Sequence, residues 1–384
     1  MLDYAIVNGI IHTENDLIRN GYLIISNGNI KEINNGTYEG DLPTLSAEGH
    51  HVLPGFIDIH IHGGYGEDTM DASFDGLKYL SKKLLSEGTT SFLPTTMTQC
   101  NKNIELALSN IVSCQAVQDG KNSADILGVH LEGPFISPDK VGAQNPKYVQ
   151  SISVEKIKHF QNIAKNQIKI ITIAPEIKEA DDIIQKLADE IIFSIGHTTS
   201  TFDQVNNFAE LGVKHATHFY NACTGFDHRK PGLFGAVWTN KQLKAEIIVD
   251  GIHSHPNAID IAYRLKGNKD LYLITDSMRA KGMSDGSYDL GGQNVNVKYP
   301  EARLNSGELA GSILCMIDGF KKLVEYTNAS ISDLWPLTSL NQAKLLNIDD
   351  ITGSIKEGKV ADIIIVDSNI SLHTTIKGGV VHYK

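Results

Sequence analysis

Pro54-Gly55-Phe56-Ile57-Asp58-Ile59-His60-Ile61-His62-Gly63 sets isoleucines at 57, 59 and 61 against Asp58, His60 and His62. This period-2 alternation is that of a strand with two distinct faces. His60 and His62 are two apart, so both leave the strand on the same side, and Gly63-Gly64 follow at once. Two imidazoles on one face at a strand end are half of a metal site in want of its other ligands. The alternative is an ordinary edge strand with two solvated histidines. The rest of the chain decides.

Outward from this run, the middle of the chain alternates apolar strand candidates with helix-length amphipathic stretches. The strands read as residues 55–62, 90–96, 126–134, 168–175, 191–196, 214–220, 244–250 and 271–276. Residues 73–87, 154–165 and 201–211 are examples of the helices between them. Eight strand-helix units in roughly 250 residues is the count and size of a (β/α)8 TIM-type barrel. A doubly wound open sheet is the alternative. It wants a phosphate-binding glycine fingerprint after its first strand, and neither G-x-G-x-x-G nor G-x-x-x-x-G-K-[ST] occurs.

The two ends read differently from the middle. Residues 4–7 and 22–25 are strand candidates, with turn signals at Asn8-Gly9, Ser26-Asn27-Gly28 and Asn34-Asn35-Gly36. In the tail, 361–366 reads as a strand and 378–381 begins or carries another. The expected fold is therefore α/β, a barrel over 54–351 with a small β-sandwich domain built from 1–53 plus 352–384.

With 41% hydrophobic residues and no long charge block, the 384-residue chain reads as globular. A net charge of -11 argues against a general nucleic-acid or membrane-surface role, and means that an anionic substrate needs a local basic pocket. Cys100, Cys114, Cys223 and Cys315 form no C-x-x-C pair, so neither a thiolate zinc site nor a disulfide framework is indicated. Met1-Leu2-Asp3-Tyr4 lacks the layout of a signal peptide, and no apolar run reaches the length of a membrane span. A cytoplasmic location is expected.

In a barrel, functional residues collect at the C-terminal ends of the strands. There the sequence places His60 and His62, Glu132 in His130-Leu131-Glu132-Gly133-Pro134, His197, His218, His253 after Asp250-Gly251, and Asp276. Singly, each has a plainer reading: an ion-pair partner for Glu132, helix caps for His197 and Asp276, a core histidine for His218. His60, His62, His197 and His218 with Glu132 and Asp276, together at strand ends, are the residue types for one or two divalent ions, with an aspartate left for proton transfer. His130 reads as a group orienting Glu132, and His215 as packing. For a phosphate-type anion the donors at hand are the backbone N–H groups of Asn221 and Ala222, and the run His228-Arg229-Lys230, which is otherwise a solvated loop.

These segments make the chain resemble the N-acetylglucosamine-6-phosphate deacetylases of the amidohydrolase superfamily. His60-Ile61-His62 alone points only to the superfamily. His130-Leu131-Glu132-Gly133-Pro134 and Thr217-His218-Phe219-Tyr220-Asn221-Ala222 point to this family, and Gly196-His197-Thr198, Thr275-Asp276-Ser277-Met278, Leu309-Ala310-Gly311-Ser312 and Gly358-Lys359-Val360-Ala361-Asp362 also match. The resemblance implies hydrolysis of the acetamide of N-acetylglucosamine 6-phosphate to glucosamine 6-phosphate and acetate. It implies Glu132, His197 and His218 as ligands of a principal metal and Asp276 as general acid/base toward a metal-activated water. It also implies Asn221, Ala222, Arg229 and His253 as substrate contacts, with Ala143, Gln144, Leu309, Ala310 and Gly311 lining the pocket. Arg229 is then contributed across a homodimer interface.

Some relatives carry Gln-x-Asn where this chain has His60 and His62, and use one metal. Here a second ion becomes available, with Glu132 bridging. Zinc or iron suits such ligands best, manganese or cobalt also. Many relatives have a histidine at Gln144 that contacts the substrate carbonyl, and a glutamine amide still donates a hydrogen bond there. The rivals are a dihydroorotase-like or dipeptidase-like amidohydrolase, and a non-catalytic amidohydrolase-like binding protein. The first commonly wants a lysine at the tip of the fourth strand, where this chain has Ala174-Pro175-Glu176; the second would dispense with the ligands that this chain keeps.

Overall fold

The computed structural model describes residues 3–383, so Met1 and Leu2 of the N-terminal run read above lie outside the described residues. All eight predicted strands of the middle form, as Phe56–Ile61, Thr89–Pro94, Val129–Glu132, Ile168–Ile173, Ile192–Ile195, His215–Ala216, Lys244–Ile248 and Leu271–Ile274. Neighbours in sequence order pair in parallel, except that Thr89–Pro94 pairs with the short strand Asp125–Ile126 that precedes Val129–Glu132. With Asp125–Ile126 they fall into a three-stranded and a six-stranded sheet. Bridges between Thr95 and His130 and between Ile61 and Ser277 join the two at both junctions. The Asp276 N–H donates to His60 O at 2.9 Å, and the Thr275 hydroxyl donates to the Asp58 carboxylate at 2.5 Å. The parallel sheet therefore curls back on itself, and its first and last strands lie side by side.

The composition explains this arrangement. Phe56–Ile61, Thr89–Pro94, Val129–Glu132 and Leu271–Ile274 are buried along their whole length, which is what parallel strands covered by crossover helices require. The helices start where the sequence supplies caps. Ser73 accepts from Gly76 N–H, Ser153 from Lys156 N–H, and Thr201 forms a reciprocal box with Gln204. Their apolar stripes pack on the sheet, with Phe56, Phe92, Phe160 and Phe193 in one shared core.

Several expectations are corrected. The third strand is broken: Asp125–Ile126 pairs on one side and Val129–Glu132 on the other. Gly128 makes the break at φ +147°, where a Cβ would lie 2.6 Å from Gln167 O. The sixth strand is only His215–Ala216, and the chain turns from Thr217 onward. Asn8-Gly9 is not a turn. It lies inside the strand Tyr4–His12, with Asn8 at φ +58° and a register shift between Ile6 and Gly9, so the turn signal marks a bulge.

Both ends of the chain do combine. Strands Val380–Tyr383, Leu372–Lys377, Ile363–Val366, His51–Pro54, Tyr4–His12, Leu17–Ser26 and Asn29–Asn35 hydrogen-bond in that order, and Thr44–Ser46 pairs with Tyr4–His12. The seam between the two ends is the antiparallel pair Ile363–Val366 with His51–Pro54. Hydrogen bonding makes this one sheet of eight strands. A further antiparallel sheet, Gly286–Leu290, Gln293–Lys298 and Glu301–Leu304, was not foreseen. It packs Leu290, Val295 and Val297 against Met97 and Met278 beside the strand ends. Among the described residues no helix is long and apolar enough to cross a membrane.

Candidate active site

His197, His218 and Asp276 end their strands with positive φ, at +49°, +29° and +48°. Such backbone is strained for residues other than glycine, and hydrogen bonds hold it. Ser137 N–H donates to His197 O, Ser312 N–H to Asp276 O, and His218 N–H to the Glu246 carboxylate. The kinks turn three side chains out of the sheet toward the space that His60 and His62 reach from the first strand.

All six predicted residues meet there. Glu132 is the hub, and its Oε1 lies 3.1 Å from His218 Nε2, 3.3 Å from His197 Nε2 and 3.5 Å from His60 Nε2. Its Oε2 lies 3.3 Å from His62 Nε2. Asp276 Oδ1 stands 3.2 Å from His62 Nε2 and 3.6 Å from His60 Nε2. Two ligand-type groups share Glu132: His60 with His62, and His197 with His218. The far nitrogens of three rings are anchored: His60 Nδ1 on Glu246 at 2.8 Å, His62 Nδ1 on Thr95 O at 3.2 Å, His197 Nδ1 on Lys140 O at 2.9 Å. Outer contacts of this kind present the opposite nitrogen to a metal.

The donor set fits a divalent ion. His197 Nε2 and His218 Nε2 face each other at 3.0 Å, and buried His60 Nε2 has no hydrogen-bond partner. Ligand atoms about 2 Å from a tetrahedral centre stand about 3.3 Å from one another, close to the separations around Glu132 Oε1.

Charge balances inside the cluster. Burial raises the Glu132 carboxyl, but His60 and hydrogen bonds from His197 and His218 outweigh it and hold the group well below its usual range. Burial likewise raises Asp276, yet His60 and His62 bring it down to about 2, so it is a carboxylate at neutral pH. For His62, burial lowers and hydrogen bonds to Asp276 and Glu132 raise, leaving it at about 9.

A cavity of about 350 Å³ opens over this cluster. Of the predicted contacts, Ala143, Gln144, Asn221, Ala222, His253, Leu309 and Gly311 line it. Ala310 does not: it is buried behind the wall with Met278 and Leu290, because alternate residues of a strand-like segment face opposite ways. The Asn221 N–H is already spent on His218 O at 3.0 Å, so it is not the open anion donor that the sequence indicated. Gln144 donates to Glu132 Oε2 at 2.5 Å and accepts from Thr98 N–H at 2.7 Å, which ties it to the hub. His253 is braced through Nδ1 by Asp250 at 2.6 Å. Arg229 is exposed, beside His228 at 2.8 Å, and does not line the cavity of its own chain. His130 makes no bond to Glu132. It spans Ile59 O and Thr172 Oγ1 and packs its ring 4.6 Å from that of His60.

Two residues went unnoticed in the sequence. Arg303, from the added sheet, lines the cavity together with Glu308; nothing in its local pattern sets it apart. Glu246 is fully buried under His60. Its signal was legible: a carboxylate in the otherwise apolar run Ala245-Glu246-Ile247-Ile248 is costly unless paired.

The sequence profile of the Amidohydrolase family matches residues 51–381. An N-acetylglucosamine-6-phosphate deacetylase of Bacillus subtilis is 46% identical over 98% of this chain and 95% of its own length. The chain belongs to the N-acetylglucosamine-6-phosphate deacetylase family of amidohydrolases. Solved structures of deacetylases of that name agree in fold. That from Pasteurella multocida superposes with a TM-score of 0.93 at 28% identity and full coverage of both chains. That from Thermotoga maritima gives 0.89 at 32% identity, covering 99% of this chain and all of its own. Members of this family carry the name of a sugar-phosphate deacetylase over a site that, in this chain, is a buried histidine and carboxylate cluster.

Proposed function

We propose that this deacetylase hydrolyses the acetamide of N-acetylglucosamine 6-phosphate, giving glucosamine 6-phosphate and acetate. The observation that carries the reading is Glu132 set between two histidine pairs, with Asp276 3.2 Å from His62 at the floor of the cavity. The curled sheet over 54–351 is read as the full (β/α)8 barrel, and the terminal sheet, 1–53 plus 352–384, as a small β-sandwich domain.

Glu132, His197 and His218 would hold one ion, and His60 and His62 with Glu132 a second, zinc or iron suiting both. Bound there, a divalent ion supplies Lewis acidity toward an amide carbonyl and acidifies water. Asp276, kept ionised by its histidine neighbours, takes the proton of the attacking water and returns it to the departing sugar amine. Gln144 steadies Glu132, and the braced His253 ring is placed to donate to the substrate. Ala222 N–H, His253 and Arg229 from a second copy of the chain receive the phosphate, which makes the working unit a homodimer.

Acetate release from the phosphorylated sugar, with elemental analysis per subunit, tests this reading. Asp276→Asn should keep its metal and lose about 10²–10⁴-fold in turnover; unchanged turnover removes Asp276 from the mechanism. Equal processing of the unphosphorylated sugar by the wild type removes the phosphate contacts.

A further inference from the structure

We infer that Glu246 is a positioning residue that sets His60 as a metal ligand and thereby controls occupancy of the second ion. The inference rests on the two-ion reading above. Glu246 stands on the strand Lys244–Ile248 with no exposed surface. An ionised carboxylate there costs several kcal/mol in desolvation unless well paired. One oxygen, Oε2, accepts both from His60 Nδ1 at 2.8 Å and from the His218 backbone N–H at 2.9 Å. A single carboxylate oxygen thus touches one member of each histidine pair: the ring of His60 and the backbone of His218, where φ is +29°.

The consequence for His60 is chemical. With its Nδ1–H bonded to a carboxylate, the neutral ring presents Nε2 as a lone pair, toward Glu132 and Asp276. That nitrogen is buried and otherwise unpartnered. His62 has a backbone carbonyl at its Nδ1, so among the H-x-H pair it is His60 whose far nitrogen a carboxylate holds.

A different use of the same groups is a separate ion among His60, His130 and Glu246, whose ligand atoms also cluster. Both His130 nitrogens are already engaged, by Ile59 O at 3.0 Å and Thr172 Oγ1 at 2.7 Å. That set is therefore one ligand short, and support of His60 is the use that the hydrogen bonds leave.

The test is a two-step metal titration of the apoprotein, read by binding rather than turnover, with thermal unfolding as a control. Glu246→Gln keeps the shape and an accepting oxygen but removes the charge. It should weaken the second ion about tenfold, the low end for a residue that supports a metal ligand, and leave the first within twofold. Glu246→Leu should weaken the second about 100-fold; if it does not fold, the glutamine variant decides. Unchanged second-ion affinity in Glu246→Gln overturns the inference, and so does equal weakening of both ions, the mark of a merely structural pair. A wild type that takes a single ion defeats the two-ion reading and the inference with it, and is recognised before any variant is made.

Discussion

Histidines cluster twice in this chain, and the two clusters behave oppositely. In the terminal sheet, the rings of His12 and His51 stand 5.0 Å apart and those of His50 and His373 4.4 Å. At the strand ends, His60 and His62 are 5.3 Å apart and His197 and His218 4.8 Å. Ring spacing does not separate them. His12 is buried against His51, and burial together with that neighbouring ring brings His12 down to about 3. His60 is also buried, yet Glu246, Asp276 and Glu132 lift it well above its ordinary value. Carboxylates at the centre turn a packed histidine cluster into one able to hold cations; in the terminal sheet Asp367 stands at the edge, 3.7 Å from the exposed His373, while His12 meets the His51 ring and a hydroxyl.

The sharpest way to break this comparison is Glu132→Gln, which keeps the hub's shape and removes its charge. Metal retained after dialysis should fall at least 100-fold in affinity, beyond the roughly 10–100-fold of a supporting residue. Wild-type retention would mean that the histidines suffice and that carboxylates are not what distinguishes the clusters.

A second prediction concerns pH. His12 titrates at about 3 when folded against 6.5 as its ordinary value. The unfolded chain therefore takes up its proton first as pH falls. The contribution of His12 to stability is complete above about 6.5 and declines toward 3. Between pH 7.5 and pH 5 the loss is about 2 kcal/mol from this residue. Urea unfolding of His12→Asn at both pH values should show a correspondingly shallower dependence. An identical slope would remove His12 as the acid-sensitive group of the terminal sheet.

The smallest expected effect gives His12 a carboxylate neighbour. Ser332 Oγ lies 3.3 Å from His12 Nδ1, so Ser332→Asp places a carboxylate beside a buried imidazole. His12 should rise by about one unit, followed by its ring proton shifts across a pH titration. No rise would show that burial alone governs that ring.

Much of the site was legible because its histidines and carboxylates sit at strand ends, where a period-2 run stops and a glycine or a turn begins. His60, His62, Glu132, His197, His218 and Asp276 were all found this way, and all converge. What was not legible came from elsewhere in the fold. Arg303 arrives on a small sheet whose residues alternate like any exposed hairpin. The Asn221 N–H read as an open donor until the turn after Ala216 consumed it. Asn8-Gly9 carried turn residues into a bulge, since the same positive φ serves both.

By itself the sequence determined which elements form and which side chains reach their C-terminal ends, since hydrophobic period and residue type act locally. Tertiary structure alone decided who meets whom. Strand pairing set Glu132 between histidines from three other segments, carried Glu246 beneath His60 across 186 positions, and left His12 to face another ring and a serine. Proton affinity and metal affinity depend on those neighbours within a few ångströms, and neighbours distant in sequence are fixed only once the sheet has curled.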